Sequence, residues 1–261
     1  MNHHPMQTGW LRGSAEACEP DGGLRDHAYR LILLGPPGVG KGTQAELLSA
    51  QLRTCHLSTG DVFRAATCDG HPSAAVSAAL AAMSRGELVS DELVIETVRE
   101  RSGCLQCKGG FLLDGFPRTL QQAQWLQSLL EEMGVALDGV VSYEMALDEI
   151  VERIGGRRTC TDCKAVYHET ARPPAQAGIC DRCGGALRQR DDDRREVVRI
   201  RMDAYRRATE PLGEYYSQRN ELISIPAGGE PGEILAQTLA ALHARRDQRE
   251  RAVEKCPSGE A

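Results

Sequence analysis

The run YRLILLGPPGVGKGT (Tyr29–Thr43) joins a short apolar stretch to a glycine-rich turn and then to a lysine that opens a helical pattern. A buried strand followed by such a turn is typical of a phosphate-binding loop, because glycine lets the backbone aim its N–H groups at phosphate oxygens. We therefore predict that Lys41 neutralises the β- and γ-phosphates of a nucleoside triphosphate. The residues of this loop expected to hold the triphosphate are Gly38, Val39, Gly40, Lys41, Gly42 and Thr43.

Short apolar runs recur along the chain and alternate with helical patterns. The runs interpreted as buried strands are Tyr29–Leu34, Phe111–Leu113, Val140–Met145 and Leu222–Ile225. Strands that alternate with longer helices argue for a parallel sheet covered on both faces, so we predict an α/β fold built on a P-loop core. Two segments interrupt the alternation and are interpreted as insertions, the alanine-rich Thr59–Glu87 and the cysteine-containing Gly156–Asp193.

The composition is ordinary for a globular protein, with 41% hydrophobic and 26% charged residues in a chain of 261. No stretch approaches the ~20 apolar residues of a membrane span, and the first residues contain no apolar run of the kind that a secretory signal needs. We therefore expect a cytoplasmic protein with no membrane partner. The net charge of −6 argues against bulk binding of nucleic acid. Residues 1–28 and 244–261 are predicted to be a disordered extension and a flexible tail.

Two matched cysteine pairs lie in the second insertion, Cys160/Cys163 and Cys180/Cys183. They could form a nucleic-acid-binding zinc ribbon, a pair of disulfides or a structural staple. Thiols stay reduced in the cytoplasm, and this spacing is typical of a tetrahedral site for structural Zn²⁺. The residues between the pairs include one tyrosine and carry little net charge, which argues against a nucleic-acid reader. We therefore predict a zinc staple in an insertion too small to bury much core of its own.

A third pair, Cys104 and Cys107, has no further ligands near it in the sequence and is interpreted as free thiols. Shortly after it, Asp114 follows the apolar triplet FLL. A carboxylate at the end of a buried strand normally completes a phosphate-loop site by holding Mg²⁺, often through water. Asp114 could also be an ordinary helix cap or turn residue, but its position directly after a buried strand favours the magnesium site.

The arginines of the chain indicate the acceptor. A hydroxyl acceptor needs a general base, whereas a phosphate acceptor is largely a dianion at neutral pH and needs none. It does need cations that hold two mutually repelling polyanions together. Taken singly, each arginine could be a solvated surface charge, but together they favour a phosphate acceptor. The arginines placed in short ordered motifs are Arg64, Arg118, Arg153, Arg157, Arg190 and Arg201.

Six motifs follow one another along the chain: GPPGVGKGTQ, LSTGDVFRAA, GELVSDELV, GFLLDGFPRTLQQA, ERIGGRRTC…YH and RDDDRREVVRIRMDAYRRATEPLGEYY. In this order they resemble the signatures of the adenylate kinases, over about Tyr29–Leu242. The resemblance implies reversible transfer of the terminal phosphoryl group from Mg-ATP to AMP, giving two ADP, in a monomer. It also implies a parallel five-stranded sheet in the core (29–57, 89–155 and 194–243), a helical monophosphate-binding insertion (58–88) and a zinc-bearing lid (156–193).

The same resemblance assigns residues to the two nucleotides. On the AMP side it implies Thr59, Arg64, Glu87, Leu88, Val89, Gly115, Phe116, Pro117, Arg118, Gln122, Arg190 and Arg201. On the ATP side, beyond the phosphate loop, it implies Arg153, Arg157, Val166, Tyr167 and Gly229. The catalytic set is Lys41, Asp114, Arg118, Arg157, Arg190 and Arg201. The Gln122 amide would read the adenine edge of AMP, and Asp192 and Asp193 would help to hold the lid closed.

The sequence leaves two alternatives open. A kinase for UMP, CMP or GMP would share these motifs, because the choice of base depends on few contacts. A catalytically silent P-loop module could instead use its cysteine knuckle to bind protein or RNA. The chain also departs from the family in IPAGGEP, where Pro226 and Ala227 replace the usual Asp-Gly pair.

Overall fold

The structure is a computed structural model that describes residues 10–11, 27–65, 73–163 and 165–254. Its main sheet has five parallel strands in the order β2-β3-β1-β4-β8, so the predicted α/β fold and the five-stranded parallel sheet are confirmed. These strands are β1 (Arg30–Leu34), β2 (Cys55–Ser58), β3 (Phe111–Asp114), β4 (Gly139–Glu144) and β8 (Leu222–Pro226). The central strand β1 is buried from its second residue onwards, as expected for a strand covered on both faces.

Helices pack on both faces of this sheet. They are α1 (Lys41–Leu52), α2 (Thr59–Ala65), α3 (Ala74–Arg85), α4 (Asp91–Arg99), α5 (Leu120–Glu132), α6 (Leu147–Gly155), α7 (Arg195–Ala204), α8 (Pro211–Gln218) and α9 (Pro231–Glu254). Side chains of α4, α5 and α8 form one hydrophobic cluster against the sheet, and side chains of α1 and α9 form another. Ser90 and Thr119 cap α4 and α5 by accepting hydrogen bonds from backbone N–H groups.

The two insertions leave the core at the carboxyl edge of the sheet. The first carries α2 and α3, and the second carries a three-stranded antiparallel sheet in the order β6-β5-β7. Its strands are β5 (Arg157–Cys160), β6 (Val166–His168) and β7 (Leu187–Arg188). The first insertion returns close to α7, since a Cβ atom on Gly86 would lie 2.8 Å from the Val197 carbonyl oxygen.

The structure differs from the sequence predictions near both ends of the chain. Most of the extension predicted to be disordered, residues 1–9 and 12–26, lies outside the described residues, but Trp10 is helical and only 1% exposed. Within the tail predicted to be flexible from residue 244, α9 continues to Glu254. Arg245 and Arg249 attach this part of α9 to the core by donating to the carbonyl oxygens of Leu222 and Leu137. A charged sequence without Gly or Pro can continue a helix, so its polarity alone was a misleading signal.

None of the helices in the described part of the chain combines the length and the apolar character that crossing a bilayer demands.

Candidate active site

The loop that follows β1 forms the floor of a cleft at the carboxyl edge of the sheet, where parallel α/β proteins place their ligands. Gly35, Gly38 and Gly40 have positive φ angles of 137°, 84° and 103°. A Cβ atom on Gly35 would lie 2.6 Å from the Tyr143 carbonyl oxygen, so the loop can wind this tightly only with glycine. Residues 37–43 all line the cleft, and α1 begins at Lys41.

Lys41 is enclosed by its own loop. Its Nζ donates hydrogen bonds of 2.6 and 2.9 Å to the carbonyl oxygens of Gly35 and Pro36. Burial, together with the charges of Arg118, Arg201 and Arg157, lowers the pKa of Lys41 to about 7, although the carboxylate of Asp114 opposes this effect. A cation surrounded by other cations in this way favours an anionic ligand strongly, since the ligand relieves their repulsion.

Asp114 lies at the end of β3 and faces His56 of β2, whose Nε2 is 3.3 Å from Asp114 Oδ2. Burial by itself raises the pKa of Asp114, but the hydrogen bond from His56 and the charges of His56, Lys41 and Arg118 outweigh it and lower the pKa. Burial likewise opposes the charge of His56, but the hydrogen bond and charge of Asp114 prevail and raise its pKa. The carboxylate predicted to serve Mg²⁺ is therefore ionised and positioned within the cleft.

Three arginines reach the cleft from the lid and from α7. Arg157 forms a bidentate ion pair with the fully buried carboxylate of Asp193. The Nε atom of Arg157 lies 2.8 Å from Asp193 Oδ2. Arg201 donates to Asp192 Oδ2 at 2.9 Å, so the two aspartates predicted to hold the lid do contact these arginines. Burial, together with the charges of Arg157 and Arg64, lowers the pKa of Arg190 to about 10.

Two further arginines reach the same cleft from the other side. Arg64 of α2 donates to Asp61 Oδ1 at 2.6 Å, and Arg118 donates from Nε to the Gly115 carbonyl oxygen at 2.8 Å. Thr59 also donates to that carbonyl oxygen, at 3.1 Å. The structure thus brings the predicted phosphate-binding side chains of both nucleotides to one opening. The predicted AMP-side residues that line it include Arg64, Glu87, Leu88, Gly115, Pro117 and Arg118.

Three other residues predicted on the AMP side are more deeply buried. Phe116 is fully buried, Gln122, predicted to read the adenine edge, is 2% exposed, and Val89 packs against a hydrophobic cluster that contains Phe116. The Gln122 amide accepts from the Arg118 backbone N–H and donates to Asp91 Oδ1 at 2.7 Å. Its predicted contact with an adenine edge therefore needs the amide to exchange a protein partner for the base.

On the predicted ATP side, Arg153 Nη2 donates to the Gly229 carbonyl oxygen at 3.3 Å. Val166 and Tyr167 of the lid line the same cleft as these two residues and the phosphate loop. Gly229 thus lines the cleft although the usual Asp-Gly signature before it is absent from the sequence.

The four cysteines of the lid converge. Their sulfur atoms all lie within 4.8 Å of one another, with 3.5 Å from Cys160 to Cys183 and from Cys163 to Cys180. Sulfur ligands at the corners of a tetrahedron around Zn²⁺ lie about 3.8 Å apart, because each Zn–S bond is about 2.3 Å long. The cluster therefore has the dimensions and the chemistry that a four-thiolate zinc site requires.

One of these thiols is prepared for metal binding by its neighbours. Burial opposes ionisation of Cys180, but hydrogen bonds from the Tyr167 hydroxyl and from the backbone N–H groups of Arg182 and Cys183 lower its pKa to about 6. A thiolate is the form that coordinates a metal. Tyr167 therefore links the zinc-type cluster to the cleft that it also lines.

Sequence reasoning missed several contacts. His56 carries no signal of its own, because its partner Asp114 is 58 positions away in the chain. Cys107 was paired in sequence with Cys104, yet its Sγ lies 3.2 Å from Sγ of Cys55 on β2. Burial raises the pKa of Cys104 to about 11, so this residue is a protonated thiol at neutral pH.

A parallel sheet whose phosphate loop opens into a cleft of buried arginines defines a P-loop phosphotransferase. Comparison with known proteins narrows this class, because the family model for adenylate kinase matches residues 33–221. The adenylate kinase of Acidothermus cellulolyticus is 47% identical over 213 residues, which cover 82% of this chain and 97% of that protein. The adenylate kinase of Anaeromyxobacter dehalogenans is 48% identical over 212 residues, covering 81% and 98%, and that of Methanocella arvoryzae is 43% identical over 213 residues, covering 82% and 98%.

The chain therefore belongs to the adenylate kinase family. It is an enzyme that transfers a phosphoryl group between adenine nucleotides.

The pair of His56 and Asp114 predicts a pH-dependent contribution to stability. A raised histidine pKa stabilises the fold below the pKa of about 6.5 of the unfolded chain, and the stabilisation is lost as the pH rises through the folded value. We expect His56→Gln to lower Tm more at about pH 5.5 than at about pH 9, because only the charged imidazole pairs with Asp114. Thermal unfolding at both pH values measures this difference. The loss at the higher pH reports packing alone, and equal losses at both would refute the ion pair.

Proposed function

We propose that the protein transfers the terminal phosphoryl group of Mg-ATP reversibly to AMP and so forms two ADP. The observation that carries this proposal is the convergence on one cleft of arginines from opposite sides, beside the phosphate loop. Arg157 and Arg190 approach from the lid side, and Arg64 and Arg118 approach from the side of the first insertion. The phosphate loop accounts for the binding of one polyphosphate. The second group of arginines implies that a second anionic ligand binds in the same cleft.

On the donor side, the backbone N–H groups of the loop and Lys41 bind the β- and γ-phosphates, with Thr43 at the start of α1. Arg157 contacts the same phosphates once they compete with Asp193 for its guanidinium. The adenine of ATP lies between Arg153 and Gly229, with Val166 and Tyr167 of the lid on its other side. Bound in this way, ATP would lie along the carboxyl edge of the sheet in one fixed orientation.

Asp114 and Thr43 are the side chains that would hold Mg²⁺, Asp114 through water, because both line the cleft beside Lys41 and both offer oxygen ligands. The bound ion would neutralise charge on the β- and γ-phosphates. Asp114 is suited to this role because its pKa is lowered and it stays ionised at neutral pH.

On the acceptor side, Arg64 and Arg118 hold the phosphate of AMP. Thr59, Gly115, Pro117 and the backbone of Glu87–Val89 surround the rest of the nucleotide, and Phe116 and the Gln122 amide face its base. The acceptor phosphate is its own nucleophile, so no side chain has to remove a proton from it.

Transfer itself depends on position and charge. The phosphoryl group passes through a loose transition state whose charge is spread over equatorial oxygens, and fixed cations stabilise that charge without reorganising. Arg190 and Arg201 lie between the two proposed phosphate sites and contact the phosphoryl group during its transfer. Burial and the charge of Arg157 lower the pKa of both Arg190 and Arg201. The two guanidinium groups are therefore close enough to the other cations of the cleft to be repelled by them.

The lid is proposed to carry structural Zn²⁺. The four cysteines would fill all its coordination positions, so the ion would contribute stability and no chemistry. The hydrophobic core of the lid consists of little more than two of these cysteines with Ala165, Tyr167 and Leu187. Such a core is too small to hold the insertion together by apolar burial alone.

The donor site predicts a severe effect of Lys41→Met. Loss of one fixed transition-state donor costs about 10²–10³ in kcat, and we expect a loss of at least this size with the fold intact. A coupled assay of ADP formation from ATP and AMP measures it, with Lys108→Met, an exposed lysine, as the matched control. The same assay with UMP, CMP and GMP tests the choice of acceptor. Near-normal turnover by folded Lys41→Met, or a preference for another monophosphate, would contradict the proposal.

The acceptor site predicts that Arg118→Lys raises KM for AMP by about tenfold or more, because lysine keeps the charge but loses the planar fork that holds two phosphate oxygens. KM for ATP should change little. Initial rates with each nucleotide varied in turn separate the two values, and Arg219→Lys, remote from the cleft lining, is the control. An unchanged dependence on AMP would remove Arg118 from the acceptor site.

The lid predicts one zinc ion per chain in freshly purified, reduced protein. Zinc binding by small cysteine sites is worth roughly 10 kcal/mol, so removal by a chelator or by Cys180→Ala should lower Tm and expose residues 156–193 to protease. Activity at low temperature should persist, because Arg157, Arg190 and Arg201 lie outside the cysteine loop. Elemental analysis followed by melting and assay of the stripped protein tests this, with zinc re-addition as the control. Absence of metal, or reversible loss of all activity in a folded lid, would contradict it.

A further inference from the structure

A carboxylate outside the predicted site residues holds the side chain that is predicted to read the base of AMP. Asp91 is the first residue of α4, and its Oδ1 accepts a hydrogen bond of 2.7 Å from Nε2 of Gln122. The other end of the same amide, Oε1, accepts a hydrogen bond of 2.8 Å from the backbone N–H of Arg118. Because Gln122 is buried, protein groups hold both ends of its amide inside the fold.

The chemistry of these two partners fixes which end of the amide is nitrogen and which is oxygen. A carboxylate can only accept a hydrogen bond, and a backbone N–H can only donate one. A half-turn of the Gln122 amide would set its oxygen against an oxygen of Asp91 and its NH2 group against the Arg118 N–H. Both hydrogen bonds would then be lost in the interior, where an unpaired polar group is costly. The amide therefore has one allowed orientation.

Asp91 is itself held in place by a second contact. Its Oδ2 accepts a hydrogen bond of 2.9 Å from the hydroxyl of Thr119, and that hydroxyl accepts one of 3.2 Å from the backbone N–H of Gln122. Thr119 caps α5, the helix that carries Gln122. The carboxylate thus joins the first residue of α4 to the first turn of α5. Both of its oxygen atoms belong to one closed network that fixes the position of the Gln122 side chain.

The two ends of the amide are held with different strength. The hydrogen bond to Asp91 has a charged acceptor, whereas the one from the Arg118 N–H joins two neutral groups. Charge-assisted hydrogen bonds are roughly twice as strong as neutral ones. A base that contacts the amide therefore displaces the weaker partner and leaves Nε2 on Asp91. The atom that meets the base is then Oε1, which can only accept, so the base must present a donor.

Purine bases differ in this requirement. The 6-amino group of adenine donates a hydrogen bond, whereas the 6-oxygen of guanine or hypoxanthine accepts one and would face Oε1 with a second oxygen. We infer that Asp91 is a positioning residue that makes the acceptor site specific for a 6-aminopurine, because it fixes the Gln122 amide with its oxygen towards the base. This inference rests on the proposed acceptor site, which it deepens by naming the residue that sets the choice between purines.

A 6-oxopurine has a donor of its own at N1, beside the 6-oxygen. It could bring that donor to Oε1 only if the whole ring moved along the amide. The phosphate of the same nucleotide opposes this movement, because Arg64 and Arg118 are proposed to bind it and both line the cleft. The phosphate and the amide are thus two fixed points, and the position of one donor on the ring decides which purine fits between them.

Nucleotide analogues test the orientation of the amide in the wild-type enzyme. Purine riboside 5′-monophosphate has hydrogen in place of the 6-amino group, and 1-deaza-AMP keeps that group but lacks N1. Relative to AMP, we expect kcat/KM to fall by about tenfold or more for the first analogue. In Gln122→Ala most of that difference should disappear, and 1-deaza-AMP should show no loss that depends on Gln122. If the loss that depends on Gln122 is found with 1-deaza-AMP instead, Nε2 faces the base and the inference is wrong.

Asp91→Asn tests the positioning role with little change in shape. An asparagine amide can accept from the Gln122 amide or donate to it, so the second orientation becomes available. We expect the ratio of kcat/KM for AMP to kcat/KM for IMP to fall by about tenfold, with KM for ATP unchanged. Glu92→Gln is the matched control, because it removes an exposed carboxylate from the same turn of α4. A ratio equal to that of the wild type in folded Asp91→Asn would overturn the inference.

The ratio separates positioning from support of the fold. If Asp91 only stabilised the protein, Asp91→Asn would weaken the use of AMP and IMP by the same factor, and that result contradicts the inference. If Asp91→Asn does not fold, the two analogues on the wild-type enzyme still decide which end of the amide meets the base. Failure of the proposed function has a different signature, because the wild-type enzyme then does not phosphorylate AMP or prefers another monophosphate. Failure of this inference alone leaves AMP preferred by wild type and Asp91→Asn alike.

Discussion

The repulsion between buried cations is the constraint on which the rest of the structure depends. Lys41 lies among Arg118, Arg157 and Arg201, and burial with these charges lowers its pKa to about 7. The structure tolerates this group of charges because each member has an acceptor. Asp193 pairs with Arg157 and Asp192 with Arg201, whereas backbone carbonyl oxygens accept from Lys41 and Arg118. The protein thus keeps like charges together in a cleft that suits phosphate groups.

Sequence reasoning succeeded where a local pattern carries the chemistry. The phosphate loop must follow a strand and open a helix, so its residues, the parallel sheet and Asp114 could all be predicted. The arginines converge in the structure because each belongs to a short motif at a fixed distance from a strand end. The cysteine cluster was predictable for the same reason, since its spacing determines which sulfur atoms can meet.

The contacts that sequence reasoning missed join residues that lie far apart in the chain and belong to no local motif. Trp10 reaches Ser58 across 48 positions, and Cys55 reaches Cys107 across 52 positions, with no pattern at either end that names the partner. Contacts of this kind are set by how edge strand β2 and its neighbours pack. The helix α9 was underestimated for another reason, because a charged helix anchored by Arg245 and Arg249 has the composition of a tail. Polarity indicates exposure to water and does not by itself indicate disorder.

The ion pair between Arg157 and Asp193 joins the first strand of the lid to the short helical turn at its end. A second contact lies beside it, because Arg190 Nε donates to Thr159 Oγ1 at 3.0 Å. Both contacts lie outside the segment from Cys160 to Cys183 that carries the cysteine cluster. The arginines at the base of the lid are therefore fixed by partners that do not include the cysteines.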